Sequence, residues 1–225
     1  PNPDVKAGDP AYLVREVLDI EGFSTSMAMV MDYSGSMKDD IYVAEDGARN
    51  FFRQISPIDR VALIKFTGKI EVFQEFTSDT TLLMEALESP TSDRHVTAFY
   101  DAVYLGLEAC ESEPGRRVVI AYTDGNDNAS GHSLNDVIEY ARELDIPVYV
   151  IGLGLDANNA ALNNLAQETG GTYITTTKVE DLQGIYEDIY EEVRGFYMLA
   201  HNSTDPDPNG TYRLVDLTVH YDNNR

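Results

Sequence analysis

The apolar run Met27-Ala28-Met29-Val30-Met31 stops abruptly at a carboxylate and two hydroxyls, Asp32, Ser34 and Ser36, within the stretch Met-Ala-Met-Val-Met-Asp-Tyr-Ser-Gly-Ser-Met. A run this short, followed by helical spacing from Ile41, reads as a buried strand whose C-terminal end presents oxygen ligands. Hard cations such as Mg2+ take such oxygens. Asp-x-Ser-x-Ser by itself also fits a helix cap or a turn, so the rest of the chain must decide.

The same design recurs at Arg117–Thr123, a second apolar strand that ends at Asp124 before the loop Gly125-Asn126-Asp127-Asn128. Between and after the two runs, helical stripes alternate with strands. Ile41, Ala44, Ala48, Phe51, Phe52 and Ile55 form the first stripe, and Pro57 follows it. Arg60–Phe66 is a strand, and Thr67-Gly68-Lys69 turns it tightly into Ile70–Phe76, which is therefore expected to run antiparallel. A short helix from Ser78 or Asp79 to Leu87 precedes the loop Ser89-Pro90-Thr91-Ser92-Asp93. Phe99, Ala102, Val103, Gly106 and Cys110 stripe the next helix, and Leu134, Val137, Ile138, Ala141 and Leu144 the one after Asp124. Pro147–Ile151, a helix around Ala161–Ala166 ended by Gly170-Gly171, Tyr173–Thr175 and a final helix striped by Leu182–Val193 complete the series.

Such alternation implies right-handed crossovers and an α/β, doubly wound, mostly parallel sheet with one antiparallel edge strand and helices on both faces. Ligands of such sheets bind beyond the carboxyl ends of the strands, where the winding reverses, and Asp32 and Asp124 are both placed at such ends. Peripheral strands are expected outside this core. One is Tyr12–Ile20; another is Phe196–His201, read as a hairpin with the alternating Val215, Leu217, Val219 and Tyr221. The chain thus divides into an N-terminal extension (1–23), a core (24–194) and a C-terminal hairpin extension (195–225). The start of the first core strand and the end of the last helix are expected at the pole opposite Asp32, where Tyr12–Ile20 is expected to pair with Tyr212–Tyr221.

With 39 acidic against 16 basic residues and a formal net charge of -23, the chain repels nucleic acid and anionic lipid surfaces and favours cations and basic partners. No apolar run is long enough to span a membrane, so no membrane insertion by this chain is expected. The single cysteine, Cys110, excludes an internal disulfide and reads as a buried, inert thiol. No signal peptide is visible and the chain begins at Pro1, as expected for a mature or excised fragment of something longer.

Two carboxylates about 5 to 6 Å apart on neighbouring strand ends repel by roughly 3 kcal/mol at an effective dielectric near 20, a penalty that a bound divalent cation removes. Ser34 and Ser36 add neutral oxygens, and Thr97, at the start of Thr97-Ala98-Phe99-Tyr100-Asp101-Ala102, is a candidate third hydroxyl. Asp32-x-Ser34-x-Ser36, then Thr97 opening a Thr-Ala-x-Tyr-Asp-Ala segment, then Thr123-Asp124-Gly125 after an apolar strand, resembles the von Willebrand factor type A domain (VWA domain), in the family's order and over about Ser24–Arg194. The resemblance implies a Rossmann-like fold and a metal-ion-dependent adhesion site. There Ser34, Ser36 and Thr97 coordinate the cation directly or nearly so, and Asp32 and Asp124 act directly or through water. It implies Mg2+, with Mn2+ or Ca2+ as alternatives, and a protein ligand whose acidic residue completes the site. One departure is His95-Val96 before Thr97, where the family often has Gly-Gly. The tail, Phe196-Tyr197-Met198-Leu199 and Gly210–Val215, is weakly similar to bacterial type A proteins related to calcium-activated chloride channel regulators.

Other signals weigh less. Gly152-Leu153-Gly154-Leu155-Asp156-Ala157 fits a dinucleotide-binding turn, but the next strand offers no acid for a ribose, and a simple tight turn is expected. Asp205, Asp207, Asn209 and Asp216 are spaced like a calcium loop, yet Pro206 and Pro208 favour a hairpin turn. Asp124-x-Asn126-x-Asn128 reads as loop capping, and Asp39 and Asp40 as caps for the helix from Ile41. The four histidines are dispersed and suit neither zinc nor a triad. The expected function is a non-enzymatic, divalent-cation-dependent protein-binding module for adhesion or assembly, placed outside the cytoplasm, at the cell surface or in a periplasm. The alternatives are a metal-dependent phosphohydrolase using Asp32, which lacks a cation beside either acid to clamp a phosphate, and an intracellular type A partner of an ATPase assembly.

Overall fold

The computed structural model describes residues 14–19, 24–39, 41–91, 96–124, 127–153, 159–176, 179–194 and 197–201. Along the chain run β1 (Val14–Asp19), β2 (Thr25–Asp32), a 3-10 turn (Ser36–Asp39), α1 (Ile41–Phe52), β3 (Arg60–Phe66), β4 (Ile70–Thr77), α2 (Thr80–Glu88), α3 (Phe99–Cys110), β5 (Arg116–Thr123), α4 (Leu134–Leu144), β6 (Val148–Leu153), α5 (Asn159–Glu168), β7 (Tyr173–Thr176), α6 (Val179–Arg194) and β8 (Tyr197–His201). They belong to two compact units, Ile20–Phe196 and the paired ends Pro1–Asp19 with Tyr197–Arg225.

In the larger unit six strands form one sheet in the order β4-β3-β2-β5-β6-β7. All neighbours are parallel except β4, the antiparallel edge strand that the Thr67-Gly68-Lys69 turn anticipates; Thr67 N donates to Lys69 O at 3.0 Å. From β2 the chain winds outward through β3 and β4, then returns to β5 and winds the other way. The reversal lies between β2 and β5, which puts the carboxyl ends of these two strands at the crevice where such sheets bind ligands.

Every residue of β2 is buried, so both of its faces are core. Met27, Met29 and Met31 face the layer of α1, α2 and α6, where Ala44, Phe52, Leu83, Leu87 and Tyr186 pack around them. Ala28 and Val30 face α3, α4 and α5. The side-chain sizes follow the spacing of the layers. α3 lies close over the sheet at Gly106, where an added Cβ would stand 3.0 Å from Val30 Cγ2, so β2 carries the smaller Ala28 and Val30 on this face, while its opposite face takes the long, adaptable methionines.

Gly115 sets the β2–β5 register. Its φ is +76°, and a Cβ there would meet Ser24 O at 2.0 Å, while the next amide, Arg116 N, donates to that same oxygen at 3.0 Å. The strands then run in step from Thr25 beside Arg116 to Met31 beside Tyr122. Gly115→Ala combines a left-handed φ with a backbone clash and is expected to cost about 2 kcal/mol in urea unfolding.

The sequence stripe that includes Ile55 overruns the helix. α1 ends at Phe52, because Pro57 disfavours helical backbone at Ser56 and the chain turns back with Gln54 N on Phe51 O at 2.9 Å. Ile55 still packs against the core from that turn. Cys110 is buried, its thiol pushed up to about 12 chiefly by burial, as an inert core residue requires. Gly152 ends on the Tyr173 ring, whose hydroxyl would lie 2.7 Å from an added Cβ. A close side-chain approach thus explains this glycine; Gly154–Ala157 lies outside the described residues.

At the amino ends of the strands Asp59, fully buried, ties two distant segments together. Its Oδ1 accepts Thr25 N at 2.8 Å and its Oδ2 accepts the Tyr190 hydroxyl at 2.6 Å, while Ser56 N donates to that hydroxyl at 2.8 Å. The start of β2 and the last turns of α6 therefore share one pole, opposite Asp32, as expected.

In the smaller unit β1 pairs antiparallel with β8, from Val14 beside His201 to Asp19 beside Tyr197, with an irregularity between Val14 and Glu16. The described partner of β1 is thus the segment that follows α6. The expected partner Tyr212–Tyr221, the second hairpin strand, the calcium-like Asp205, Asp207, Asn209 and Asp216, and most of the tail resemblance lie outside the described residues.

Candidate metal centre

The register that begins at Gly115 ends by setting Asp32 beside Thr123. Thr123 Oγ1 donates to Asp32 Oδ2 at 2.8 Å. The other carboxylate oxygen, Oδ1, accepts Ser34 N at 2.8 Å, a side-chain turn that bends the chain as it leaves β2. Tyr33 N donates to Phe66 O at 2.8 Å, holding this bend to the end of β3, and Met37, fully buried, anchors its far side. The result brings Ser34 Oγ within 3.1 Å of Ser36 Oγ. Ser34 is buried and Ser36 exposed, so the hydroxyl pair spans from core to surface.

Asp32 is fully buried. Burial pushes its carboxyl up from 3.8 to about 6, against the opposing bonds from Ser34 and Thr123, and the nearby charge of Asp124 adds to the rise. Asp124, half-buried, directly follows β5. Thr97, 3% exposed, is brought to the same edge from a third direction. Ala98 N donates to Thr67 O at 2.9 Å just past β3, while Thr97 O accepts Asn128 N at 3.0 Å in the loop after Asp124. Asp32, Ser34, Ser36, Thr97 and Asp124 therefore all stand at or beside the carboxyl ends of β2, β3 and β5. His95, Gly125, Asn126, Asp40 and the side chain of Asp39 lie outside the described residues.

This donor set fits a hard divalent cation. It consists of oxygens alone, two carboxylates and hydroxyls, and the buried Asp32 carboxylate has a raised pKa because its hydrogen bonds from Ser34 and Thr123 do not repay its lost hydration. Among the described residues no three of His, Cys, Asp and Glu gather into a metal cage. His132 instead pairs with Asp101, Nδ1 to Oδ1 at 2.7 Å, and stacks on Tyr104 with centroids 3.9 Å apart.

Two features escape a sequence reading. Thr123 is a partner of Asp32 as well as a strand residue, a role visible only once the register is known. Lys65 is fully buried one register place before Phe66, the β3 neighbour of Asp32. Its Nζ donates to Leu87 O at 2.8 Å and Ser89 O at 2.7 Å, closing the end of α2, and lies 4.7 and 4.6 Å from the ring centroids of Tyr33 and Phe73. Burial lowers its pKa to about 8. The ammonium thus braces the turn carrying Tyr33 and is already committed to protein oxygens.

The von Willebrand factor type A domain model matches residues 27–188, and the chain belongs to that family. Solved structures agree on the fold. A Bacteroides fragilis aerotolerance-related membrane protein superposes with a TM-score of 0.65 at 20% identity, over 76% of this chain and 100% of that one. Proximal thread matrix protein 1 of the mussel byssus, in a form with a zinc-occupied MIDAS motif, superposes with a TM-score of 0.69 at 19% identity, over 81% and 48%. The von Willebrand domain of the type V pili tip protein Mfa5 from Porphyromonas gingivalis gives 0.62 at 13% identity, over 76% and 95%. No curated protein matches the chain. Among the described residues no helix is long and apolar enough to cross a membrane.

Proposed function

We propose that this chain is a divalent-cation-dependent protein-binding module, for adhesion or assembly, in which Asp32, Ser34, Ser36, Thr97 and Asp124 hold Mg2+ and a partner carboxylate completes its coordination. The observation that carries this is the fully buried Asp32 carboxylate, charge-repelled by Asp124 and set beside a hydroxyl pair at the sheet's reversal point. A bound cation supplies the positive charge that this edge lacks. Two carboxylates at most neutralise it, and five protein groups leave at least one of the six oxygen positions that Mg2+ prefers for an outside ligand. An acidic partner residue fills that position with both oxygen and charge. Tyr42, at the start of α1, and Val96, just before Thr97, are exposed large apolar side chains close in sequence to the site residues.

The type A relatives that act in a pilus tip and in a byssus matrix favour a binding role outside the cytoplasm for this chain too. A phosphohydrolase gains no support. The lysine nearest Asp32 in register, Lys65, spends its ammonium on Leu87 O and Ser89 O rather than facing the site.

The test is a binding titration of an affinity-purified partner against wild type, Asp124→Ala and Ser36→Ala, each in Mg2+ and in chelator. Wild type is expected to lose at least tenfold in affinity in chelator, and each variant to bind in Mg2+ as weakly as wild type does in chelator. Affinity that survives chelation contradicts the proposal. Mg2+-dependent phosphate release from a small ester, abolished by Asp32→Ala, replaces it with the hydrolase.

A further inference from the structure

We propose that the segment from Asp127 to His132 is a clamp that positions Thr97 for the cation, with Asn128 as its positioning residue. The inference rests on the metal-binding function proposed above. It starts from a deficiency in α3, whose N-cap is Ala98, a residue with no side chain to accept the helix's first amides. A helix leaves its first N–H groups without intrahelical partners. Here the loop after Asp124 supplies them.

The bonds run in sequence along the helix start. Asn128 Oδ1 accepts Thr97 N at 3.0 Å, and Thr97 O accepts Asn128 N and Ala129 N at 3.0 and 3.1 Å, so residue 97 is gripped through both its amide and its carbonyl. Asp127 Oδ1 accepts Tyr100 N at 3.3 Å and the Ser130 hydroxyl at 2.6 Å, and Ser130 Oγ in turn accepts Asp101 N at 3.0 Å. α3 answers with its own carboxylate. Asp101 Oδ2 accepts Gly131 N at 2.9 Å, and Oδ1 accepts His132 N at 2.8 Å and faces His132 Nδ1 at 2.7 Å.

Cation binding needs Thr97 and Asp124 in place together, and they arrive on separate elements. The clamp bonds the backbone of Thr97 to Asn128 and Ala129, which follow Asp124 closely in the chain. Asn128 is exposed, and its side chain grips Thr97 through the Thr97 amide; its removal is expected to free Thr97 without opening the core. An ordinary capping role would change stability alone. A positioning role changes cation affinity, and only through Thr97.

The experiment is calorimetric titration of Mg2+ into wild type, Asn128→Ala, Thr97→Ala, the double variant and Asp32→Ala, with amide hydrogen exchange in chelator alongside. Asn128→Ala is expected to weaken Mg2+ binding about tenfold, the scale on which positioning partners of metal ligands act. In the double variant affinity is expected to match Thr97→Ala, with no further loss. Exchange at the Thr97 amide rises in Asn128→Ala while amides of Met29 and Val30 keep their protection. Wild-type affinity in Asn128→Ala, or losses that multiply in the double variant, overturns the clamp while leaving the metal site standing. Equal Mg2+ binding by wild type and Asp32→Ala overturns the metal site itself, and the clamp's purpose with it. Ser130→Ala, which removes the acceptor for Asp101 N, is the second probe. It is expected to weaken Mg2+ binding in the same direction, and unchanged affinity counts against the clamp.

Discussion

In chelator at pH 7.5, Asp32→Asn is expected to be more stable than wild type by about 2 kcal/mol in urea unfolding. The reason is the cost of an ionised carboxylate in the core. A group moved from 3.8 to about 6 by burial binds its proton more tightly in the folded chain than in the unfolded one. Below about pH 4 both states are protonated, and Asp32 costs nothing. Between about 4 and 6 the unfolded chain has lost the proton and the folded chain keeps it, so stability falls as pH rises, by roughly 3 kcal/mol in total. Asparagine removes that slope. Its carbonyl still accepts Ser34 N, and its amide donates to the Thr123 hydroxyl once that hydroxyl turns around, which retains both bonds at some geometric cost. A variant less stable than wild type at pH 7.5 in chelator means that the carboxylate is not under strain. In Mg2+ the order reverses, because saturation at about a hundred times Kd adds roughly 2.7 kcal/mol to wild type and nothing to the variant.

The opposite pole gives the second large effect, in the opposite direction. Asp59→Ala is expected to destabilise the domain by about 3 to 4 kcal/mol, since it removes at once the acceptor of the buried Thr25 amide and the acceptor of the Tyr190 hydroxyl, and leaves a cavity between β2 and α6. Tyr190→Phe, which keeps the ring against Phe51, is expected to cost about 1 kcal/mol. Equal losses for the two variants, read from urea midpoints at constant m-value, would show that the hydroxyl and not the carboxylate holds this pole.

The contrast between these two acids explains what a sequence of this kind reveals. Asp32 follows an uninterrupted apolar run and precedes two hydroxyls, so strand, strand end and donor set all lie within one short stretch. Asp59 sits in Ser-Pro-Ile-Asp-Arg, which looks like any surface turn, and its partners Thr25 and Tyr190 come from far along the chain. Thr97 is intermediate. Its place at the start of a helical stripe was legible, but the missing cap at Ala98 and its replacement by Asn128, Asp127 and Ser130 depend on where β5 delivers the following loop. The antiparallel β4 followed from a local turn and was likewise readable, whereas the pairing of β1 with β8 brings together segments far apart in the chain and carried no local signal. Lys65 breaks an otherwise apolar strand, and its explanation, the carbonyls at the end of α2, again lies on another element.

The central claim is that a divalent cation sits among Asp32, Ser34, Ser36, Thr97 and Asp124, and crystals grown with Mn2+ and measured at the manganese absorption edge test it most directly. One anomalous peak about 2.1 to 2.3 Å from the Ser34 and Ser36 hydroxyls, absent from Asp32→Ala crystals, is the predicted result. A peak elsewhere on the molecule with none at this edge, or a peak here that persists in Asp32→Ala, would contradict it.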